Sequence, residues 1–203
     1  MVETIRFSAT GDDLIHSPIY KQAQRRATGT EKYSFDYCYE HIAPFYAQQD
    51  VNWINQETLC NDELEPSSYP CFSTPGDCAR ALYRAGVRVF SLSNNHTYDK
   101  GAAGIAATLR FWESMPEDVV TTGLWRGTED YSRIPLQTIN GVTIAYLSYT
   151  ESRHQRTDQG LRWSVCSDPY VAMKAAKEVA QGIAQYVDAI KLLEEANWLG
   201  ALL

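Results

Sequence analysis

The segment VRVFSLS, residues 87–93, limits the possible folds more than any other part of this sequence. It is apolar and contains β-branched residues, which is typical of a strand buried on both faces. It runs directly into Asn94-Asn95-His96, so we predict a buried strand that ends in polar side chains. In an open α/β sheet such strand ends line the ligand-binding crevice.

Two earlier segments follow the same plan. Residues 4–10 alternate loosely between apolar and polar side chains and stop at Gly11-Asp12-Asp13, which predicts a strand that leads into a polar loop. Residues 51–56 predict a short strand that leads to Glu57. Three predicted strands therefore end in groups able to bind a ligand.

Helical patterns separate these strands, and the alternation predicts an α/β fold. Polar residues, serines and prolines across residues 59–74 predict a long surface loop, after which Thr74 caps a helix that starts at Pro75 and ends at Gly86. The remaining elements are a weak helix over 36–49 interrupted by Pro44, a helix over 102–114, a strand over 119–122 and a hairpin over 134–150 that turns at Asn140-Gly141.

The C-terminal part has a different pattern. From Ser167 to Trp198 apolar residues recur every three or four positions, which predicts one long helix, or two helices separated near Gly182. The apolar residues 199–203 follow it. Such a tail is normally buried, so we expect a second copy of the chain or a partner subunit to cover it.

Composition narrows the class of protein. The 203 residues, 44% hydrophobic and 21% charged, fit one domain spanning residues 1–203. The net charge of −7 argues against nucleic-acid binding. The sequence shows no leader segment and no apolar run long enough to span a bilayer, so the chain as given is expected to be cytoplasmic. Most cysteines are expected to be unpaired thiols, and only Cys71 and Cys78 are close enough in sequence for a local disulfide.

The residues at the ends of the three predicted strands are of types that can bind a metal ion together. If Asp12, Glu57 and Asn95 converge, two carboxylates and an amide oxygen make a pocket suited to Mn²⁺, Mg²⁺ or Fe²⁺, and to Zn²⁺ if a histidine joins. Simpler roles stay open. Asp12 could cap a turn or a following helix, and Asn95, with Asn94, could be a tight-turn residue that tolerates a left-handed backbone. His96 could be a histidine whose hydrogen bonds are satisfied within the fold, and His16 a surface or loop histidine.

The stretches GDDLIH (residues 11–16), NQE (55–57) and LSNNHTYDKG (92–101) together resemble a known family. In this order they look like the capsule synthesis, or poly-γ-glutamate biosynthesis, proteins of the CapA type. Those proteins resemble calcineurin-like metallophosphoesterases, with GD after the first strand, N-L-E after the second and N-N-H-x-x-D-x-G after the third. The resemblance implies the amino-terminal half of a metallophosphatase-like αββα sandwich, and a divalent metal ion as cofactor.

The resemblance also implies roles for single residues. Asp12 and Asn95 would contact the metal, and Glu57 would bridge to or bind a second metal. His96 would act as an acid or stabilise the transition state. Asp99 would orient the imidazole of His96. The implied substrate is an anionic polymer such as poly-γ-glutamate, or a phosphorylated small molecule.

This sequence departs from the family pattern at two places. The family's later H-W-G and G-H-x-P-H motifs do not occur, and the other histidines, His16, His41 and His154, lie in different contexts. Gln56 stands where the family has leucine. Without the two later motifs the divalent metal would be bound weakly or not at all. Three hypotheses follow: a metal-dependent hydrolase, a noncatalytic polymer-binding or accessory subunit, and a truncated inactive fragment.

Overall fold

The computed structural model describes residues 3–126, 134–148, 150 and 164–165. Helices and strands alternate along most of this part of the chain. The helices are α1 (Ser17–Arg26), α2 (Asp36–Tyr39), α3 (Ala43–Tyr46), α4 (Asp77–Ala85) and α5 (Gly101–Glu113). The strands are β1 (Phe7–Asp12), β2 (Val51–Asn55), β3 (Cys60–Asn61), β4 (Thr74–Pro75), β5 (Val89–Ser91), β6 (Val120–Thr122), β7 (Leu124–Trp125), β8 (Leu136–Ile139), β9 (Val142–Ala145) and β10 (Ser164–Val165).

A four-stranded sheet with the order β1-β2-β5-β6 forms the centre of the fold. Each neighbouring pair runs parallel, so the carboxyl ends of all four strands lie at one edge. Asp12 pairs with Asn55, and Asn55 pairs with Ser91. The predicted α/β class is confirmed, and the register brings the polar segments after β1, β2 and β5 to the same edge.

The two faces of this sheet have separate hydrophobic clusters because side chains alternate along each strand. On one face Ile54 and Phe90 pack with the buried sides of α4 and α5. On the other face Val51 and Val89 pack with Tyr146, which follows the β8–β9 hairpin. The sheet is therefore held from both sides while its carboxyl edge carries polar groups.

The β8–β9 hairpin turns where the sequence predicted. Asn140 and Gly141 have φ values of 50° and 79°. Positive φ at both central residues is the geometry of a type I′ turn, which favours Asn-Gly and matches the twist of the flanking strands.

The predicted start of α4 is wrong. Thr74 and Pro75 form β4, which pairs with β3, and the helix begins at Asp77 with Gly76 as its N-cap. The Thr74 hydroxyl bonds the Thr58 hydroxyl at 2.6 Å, so it does not cap the helix. A Cβ atom at position 76 would collide with Phe111, which explains the glycine at this cap. The predicted helix end is confirmed, because Gly86 adopts a left-handed C-cap with φ 112°.

Other expectations differ in detail. The first strand covers Phe7–Asp12 and not residues 4–10, and α1 was not predicted. Pro44 is the second residue of α3, and the predicted helix over 36–49 is broken before it, between the end of α2 at Tyr39 and the start of α3 at Ala43. The loop over residues 59–74 is partly buried, since Phe72 is 1% exposed. Cys71 and Cys78 are free, so the local disulfide that the sequence left open is not formed.

The predicted helix from Ser167 to Trp198 and the apolar tail lie outside the described residues. The single domain over residues 1–203 and the partner that would cover the tail stay predictions. Within the described ranges, no helix is both long enough and apolar enough to cross a membrane.

Candidate functional site

Asp12 and Glu57 lie together at the carboxyl edge of the sheet. One side chain joins them: Asn55 Nδ2 donates to Asp12 Oδ1 at 2.7 Å and to Glu57 Oε2 at 2.7 Å. The two accepting oxygens are therefore at most twice this distance apart. Asp12 ends β1, Asn55 ends β2, and the parallel register sets them side by side. The structure thus brings together two of the three residues predicted to bind metal.

This pair of carboxylates concentrates negative charge. Burial raises the pKa of Glu57, and the charge of Asp12 raises it further, while the hydrogen bond from Asn55 and the proximity of His96 act in the opposite direction. Among the described residues, no lysine or arginine lies within ion-pair distance of either carboxylate. The pair therefore has the electrostatic character of a cation-binding site.

His96 and Asp99 form a second, buried pair in the segment after β5. His96 Nδ1 lies 2.8 Å from Asp99 Oδ2, and the backbone N–H of Phe72 donates to the same oxygen at 2.7 Å. Asp99 is 5% exposed and His96 7%. The imidazole is thus held in one orientation by a carboxylate that is itself held by the backbone. The catalytic roles of His96 and Asp99 stay predictions.

Asn94 connects this segment to the end of β2. Its Oδ1 accepts from the His96 backbone N–H at 2.9 Å, and its Nδ2 donates to the Gln56 carbonyl at 3.0 Å. Asn95 follows, half-buried. Asn94 and Asn95 lie at the start of a turn, where the Thr97 backbone N–H donates to the Asn94 carbonyl at 3.3 Å, but neither asparagine has the positive φ of a left-handed backbone. The metal-binding role of Asn95 stays a prediction.

Asp13, which the sequence places in the polar loop after the first strand, is buried. Its carboxylate accepts from Tyr39 Oη at 2.8 Å, Gln56 Nε2 at 2.8 Å and Cys78 Sγ at 3.3 Å. Burial raises the pKa of Asp13, and these three hydrogen bonds oppose that effect. Gln56, which replaces the family's leucine, was the available signal: a polar side chain at a buried strand end needs a polar partner.

The loop over residues 59–74 packs against His96 through Phe72. The Phe72 ring packs edge-on against His96, with centroids 4.8 Å apart, and against His16, with centroids 5.0 Å apart. Ser68 Oγ lies 3.2 Å from His16 Nδ1. Sequence reasoning missed Phe72 because it lies in a stretch dominated by turn residues. His16 is therefore part of the same region, although its ring is separated from His96 by Phe72.

The chemistry of the donor set decides which ion fits. Nowhere in the described part of the chain do three or more His, Cys, Asp or Glu side chains gather as a metal-binding group. The described donors are two carboxylates, Asp12 and Glu57, and the side-chain amides of asparagines. Such oxygen donors suit a hard divalent cation that keeps part of its water shell, as Mg²⁺ and Mn²⁺ do. The residues fit such an ion better than a zinc held mainly by histidines.

Comparisons with known proteins identify the family of this chain. The sequence matches the family described as "Bacterial capsule synthesis protein PGA_cap" over residues 6–197. The capsule biosynthesis protein CapA of Bacillus anthracis is 29% identical over 126 residues, which cover 60% of this chain and 30% of that protein. The PGA biosynthesis protein CapA of Bacillus subtilis (strain 168) is 26% identical over 125 residues, which cover 60% of this chain and 33% of that protein.

The alignments thus span about a third of the length of these curated relatives. The family match, in contrast, extends over most of this chain and includes all three strand-end motifs. The chain therefore belongs to the bacterial capsule synthesis protein PGA_cap family.

Proposed function

We propose that this chain contributes to the biosynthesis or processing of an anionic capsular polymer through a metal-dependent hydrolase site of the metallophosphoesterase type. The observation that carries the proposal is the placement of Asp12 and Glu57, which share one amide donor and have no described cationic partner. The names of the two relatives, a capsule and a PGA biosynthesis protein, support poly-γ-glutamate as the polymer.

Asp12 and Glu57 would hold the divalent cation, with the Asn95 amide oxygen as a third donor. The bound ion would polarise a phosphoryl or carbonyl oxygen and lower the pKa of a water molecule. Asn55 now donates to both carboxylates, so its side chain would move or rotate when a cation takes that position.

His96 would handle the proton. Because Nδ1 faces Asp99 Oδ2, a proton available to substrate would be on Nε2. Asp99 would stabilise the protonated ring, and Phe72 would keep the ring in place by packing against it. In this position His96 would protonate the oxygen or nitrogen that leaves when the substrate bond breaks.

A group of basic side chains supports an anionic substrate. Most described arginines pair with carboxylates, namely Arg6, Arg80, Arg84, Arg88, Arg110 and Arg126. The exposed cations of α1 and the loop after it, Lys21, Arg25, Arg26 and Lys32, have no carboxylate within ion-pair distance among the described residues. Helix α1 begins next to His16 and extends about 15 Å at 1.5 Å per residue. An anionic chain bound at the carboxyl edge could continue along this helix.

The test is metal content and hydrolysis by the purified chain. Metal-dependent cleavage of phosphodiesters, phosphomonoesters and γ-glutamyl bonds is compared for wild type, Asp12→Ala and His96→Ala. Asp12→Ala should lose metal and activity, whereas His96→Ala should keep the metal and lose activity. Asp118→Ala, at a surface carboxylate, is the matched control. Full activity in both site variants would contradict the assigned roles.

A second candidate is a noncatalytic polymer-binding or accessory subunit. It is favoured by the donor set, since only two charged ligands come together in the described part of the chain. Calorimetry with poly-γ-glutamate, with and without Mn²⁺, separates the two candidates. Tight binding that needs no metal, together with no hydrolysis, would favour the accessory role. Light scattering on the same sample tests the proposed association with a second copy.

A further inference from the structure

A small cavity borders the carboxyl end of β2, on the side of the sheet that packs against α5. Its volume is ≈ 10 Å³, and Gln56, Glu57, Thr108 and Trp112 are among the residues that line it. This volume is about that of one water-sized sphere. The cavity is therefore large enough for one water molecule and too small for an organic ligand.

Three of the residues that line the cavity carry polar atoms that have no hydrogen-bond partner among the described residues. These atoms are Gln56 Oε1, Thr108 Oγ1 and Trp112 Nε1, and each is buried. Gln56 and Thr108 are 2% exposed and Trp112 is 6% exposed. A buried polar group that lacks a hydrogen bond is costly, so three such groups around one cavity indicate a shared ligand.

The hydrogen-bonding roles of these atoms identify the ligand. Gln56 Nε2 donates to the Asp13 carboxylate, so the unpartnered amide oxygen of this cavity-lining residue is left as a hydrogen-bond acceptor. The indole Nε1–H of Trp112 can only donate. The ligand must therefore donate to Gln56 and accept from Trp112, while the Thr108 hydroxyl can do either. A metal cation cannot accept from an N–H group, and an anion cannot donate to a carbonyl. A water molecule does both.

We propose that this cavity is a binding site for a single structural water that bridges Gln56, Thr108 and Trp112. The water fixes the amide of Gln56, whose other end holds Asp13, and so connects α5 to the segments after β1 and β2. Three hydrogen bonds are typical of buried waters. This inference does not depend on the proposed hydrolase activity.

A crystal structure that resolves ordered water tests the proposal directly. We expect one density peak within hydrogen-bond distance, about 2.7–3.2 Å, of all three atoms. A cavity without density would overturn the proposal. So would a direct hydrogen bond from Trp112 Nε1 to Gln56 Oε1, because it would satisfy both groups without water.

Thr108→Val gives an independent test, because it replaces the hydroxyl by a methyl group of similar size. If the hydroxyl bonds a water, the substitution should lower the folding equilibrium constant about fivefold. If the hydroxyl has no partner, removing it should raise that constant. Thr4→Val, at an exposed position, is the matched control for the exchange itself. A second variant, Trp112→Phe, should weaken the water peak, and an unchanged peak would contradict the bridging role of the indole.

Discussion

Carboxylates in this protein fall into two groups with different partners. On the surface, many lie within ion-pair distance of an arginine, as do Asp36, Asp50, Asp62, Asp77, Asp118, Glu63 and Glu113. At the carboxyl edge of the sheet, Asp12, Asp13 and Glu57 accept hydrogen bonds from neutral groups instead. The surface carboxylates are paired with arginines, whereas no described lysine or arginine pairs with the carboxylates at the edge.

The neighbouring residues Asp12 and Asp13 have different environments at this edge. Asp13 is buried and its hydrogen bonds are made with Tyr39, Gln56 and Cys78, so its role is structural. Asp12 is exposed, and within the described part of the chain its side chain accepts a hydrogen bond from the Asn55 amide alone, which leaves it able to bind a ligand. Of these two consecutive aspartates, Asp13 therefore stabilises the fold, whereas Asp12 is available to the proposed site.

The largest expected effect is on the hydrolysis rate, when the buried and the exposed histidine–carboxylate pairs are compared. His96 is buried with Asp99, whereas the His41 side chain is 96% exposed and its Nε2 lies 3.6 Å from Glu40. If His96 is the proton donor, His96→Ala should reduce the hydrolysis rate by about 10²- to 10⁴-fold. His41→Ala should leave the rate unchanged. Equal rates for the two variants, measured at saturating metal, would remove His96 from the mechanism.

The buried carboxylate should matter most for stability. Asp13→Ala removes the carboxylate that accepts from Tyr39 Oη and Gln56 Nε2 at 2.8 Å, and leaves these donors only weaker contacts with sulfur or with carbonyls at 3.4 Å, which should cost about 2–3 kcal/mol of unfolding free energy. Chemical denaturation measures this loss. Asp62→Ala, which removes an exposed partner of Arg80, should cost less than about 1 kcal/mol. Similar losses at both positions would contradict the structural role assigned to Asp13.

The half-buried edge carboxylate, Glu57, should show the opposite behaviour. Glu57→Gln should weaken Mn²⁺ binding by about tenfold or more, since even indirect partners of a metal ligand contribute that much. It should not lower the unfolding free energy, because burial and the charge of Asp12 raise the pKa of Glu57 and so disfavour the charged form that the substitution removes. Calorimetric titration of this variant and of Glu63→Gln, a surface control, gives the comparison. Unchanged affinity in Glu57→Gln would show that the ion binds elsewhere.

The smallest effect is expected at a surface pair. Burial raises the pKa of Asp118, but hydrogen bonds from Arg88 and Tyr83 outweigh it and lower that pKa below 3.8. A lowered pKa means that the ionised form stabilises the fold above about pH 4 and that this contribution is lost as the pH falls further. Asp118→Asn should therefore cost less than about 1 kcal/mol at neutral pH, and less still in high salt. A loss that is independent of pH would exclude an ion-pair origin.

The strand ends were predictable from sequence because local pattern determines them. Apolar strands that stop at Asp12, Glu57 and Asn95 are visible in the chain itself, and so is the Asn140-Gly141 turn. Helix α1 was missed because Ala23 is its only fully buried residue, so its apolar pattern is weak. Helix α4 starts at Asp77 and not directly after Thr74, because Thr74 and Pro75 pair with β3; this pairing and the hydrogen bond between the Thr74 and Thr58 hydroxyls are contacts that no local pattern contains.

The supporting residues of the site could not be predicted for the same reason. In the sequence alone Gln56 is a departure from the family pattern, and only the structure shows that it donates to Asp13. Phe72 reads as a loop residue until its ring is found against His96. Both depend on contacts between segments distant in sequence, which the register of the parallel sheet brings together.

Anomalous diffraction from a crystal grown with Mn²⁺ tests the proposed cation site most directly. We expect one manganese peak within about 2.0–2.6 Å of carboxylate oxygens of both Asp12 and Glu57. The Asn55 amide should no longer lie between them. Manganese bound only at surface carboxylates, or absent from this edge of the sheet, would contradict the assignment of these residues as metal ligands.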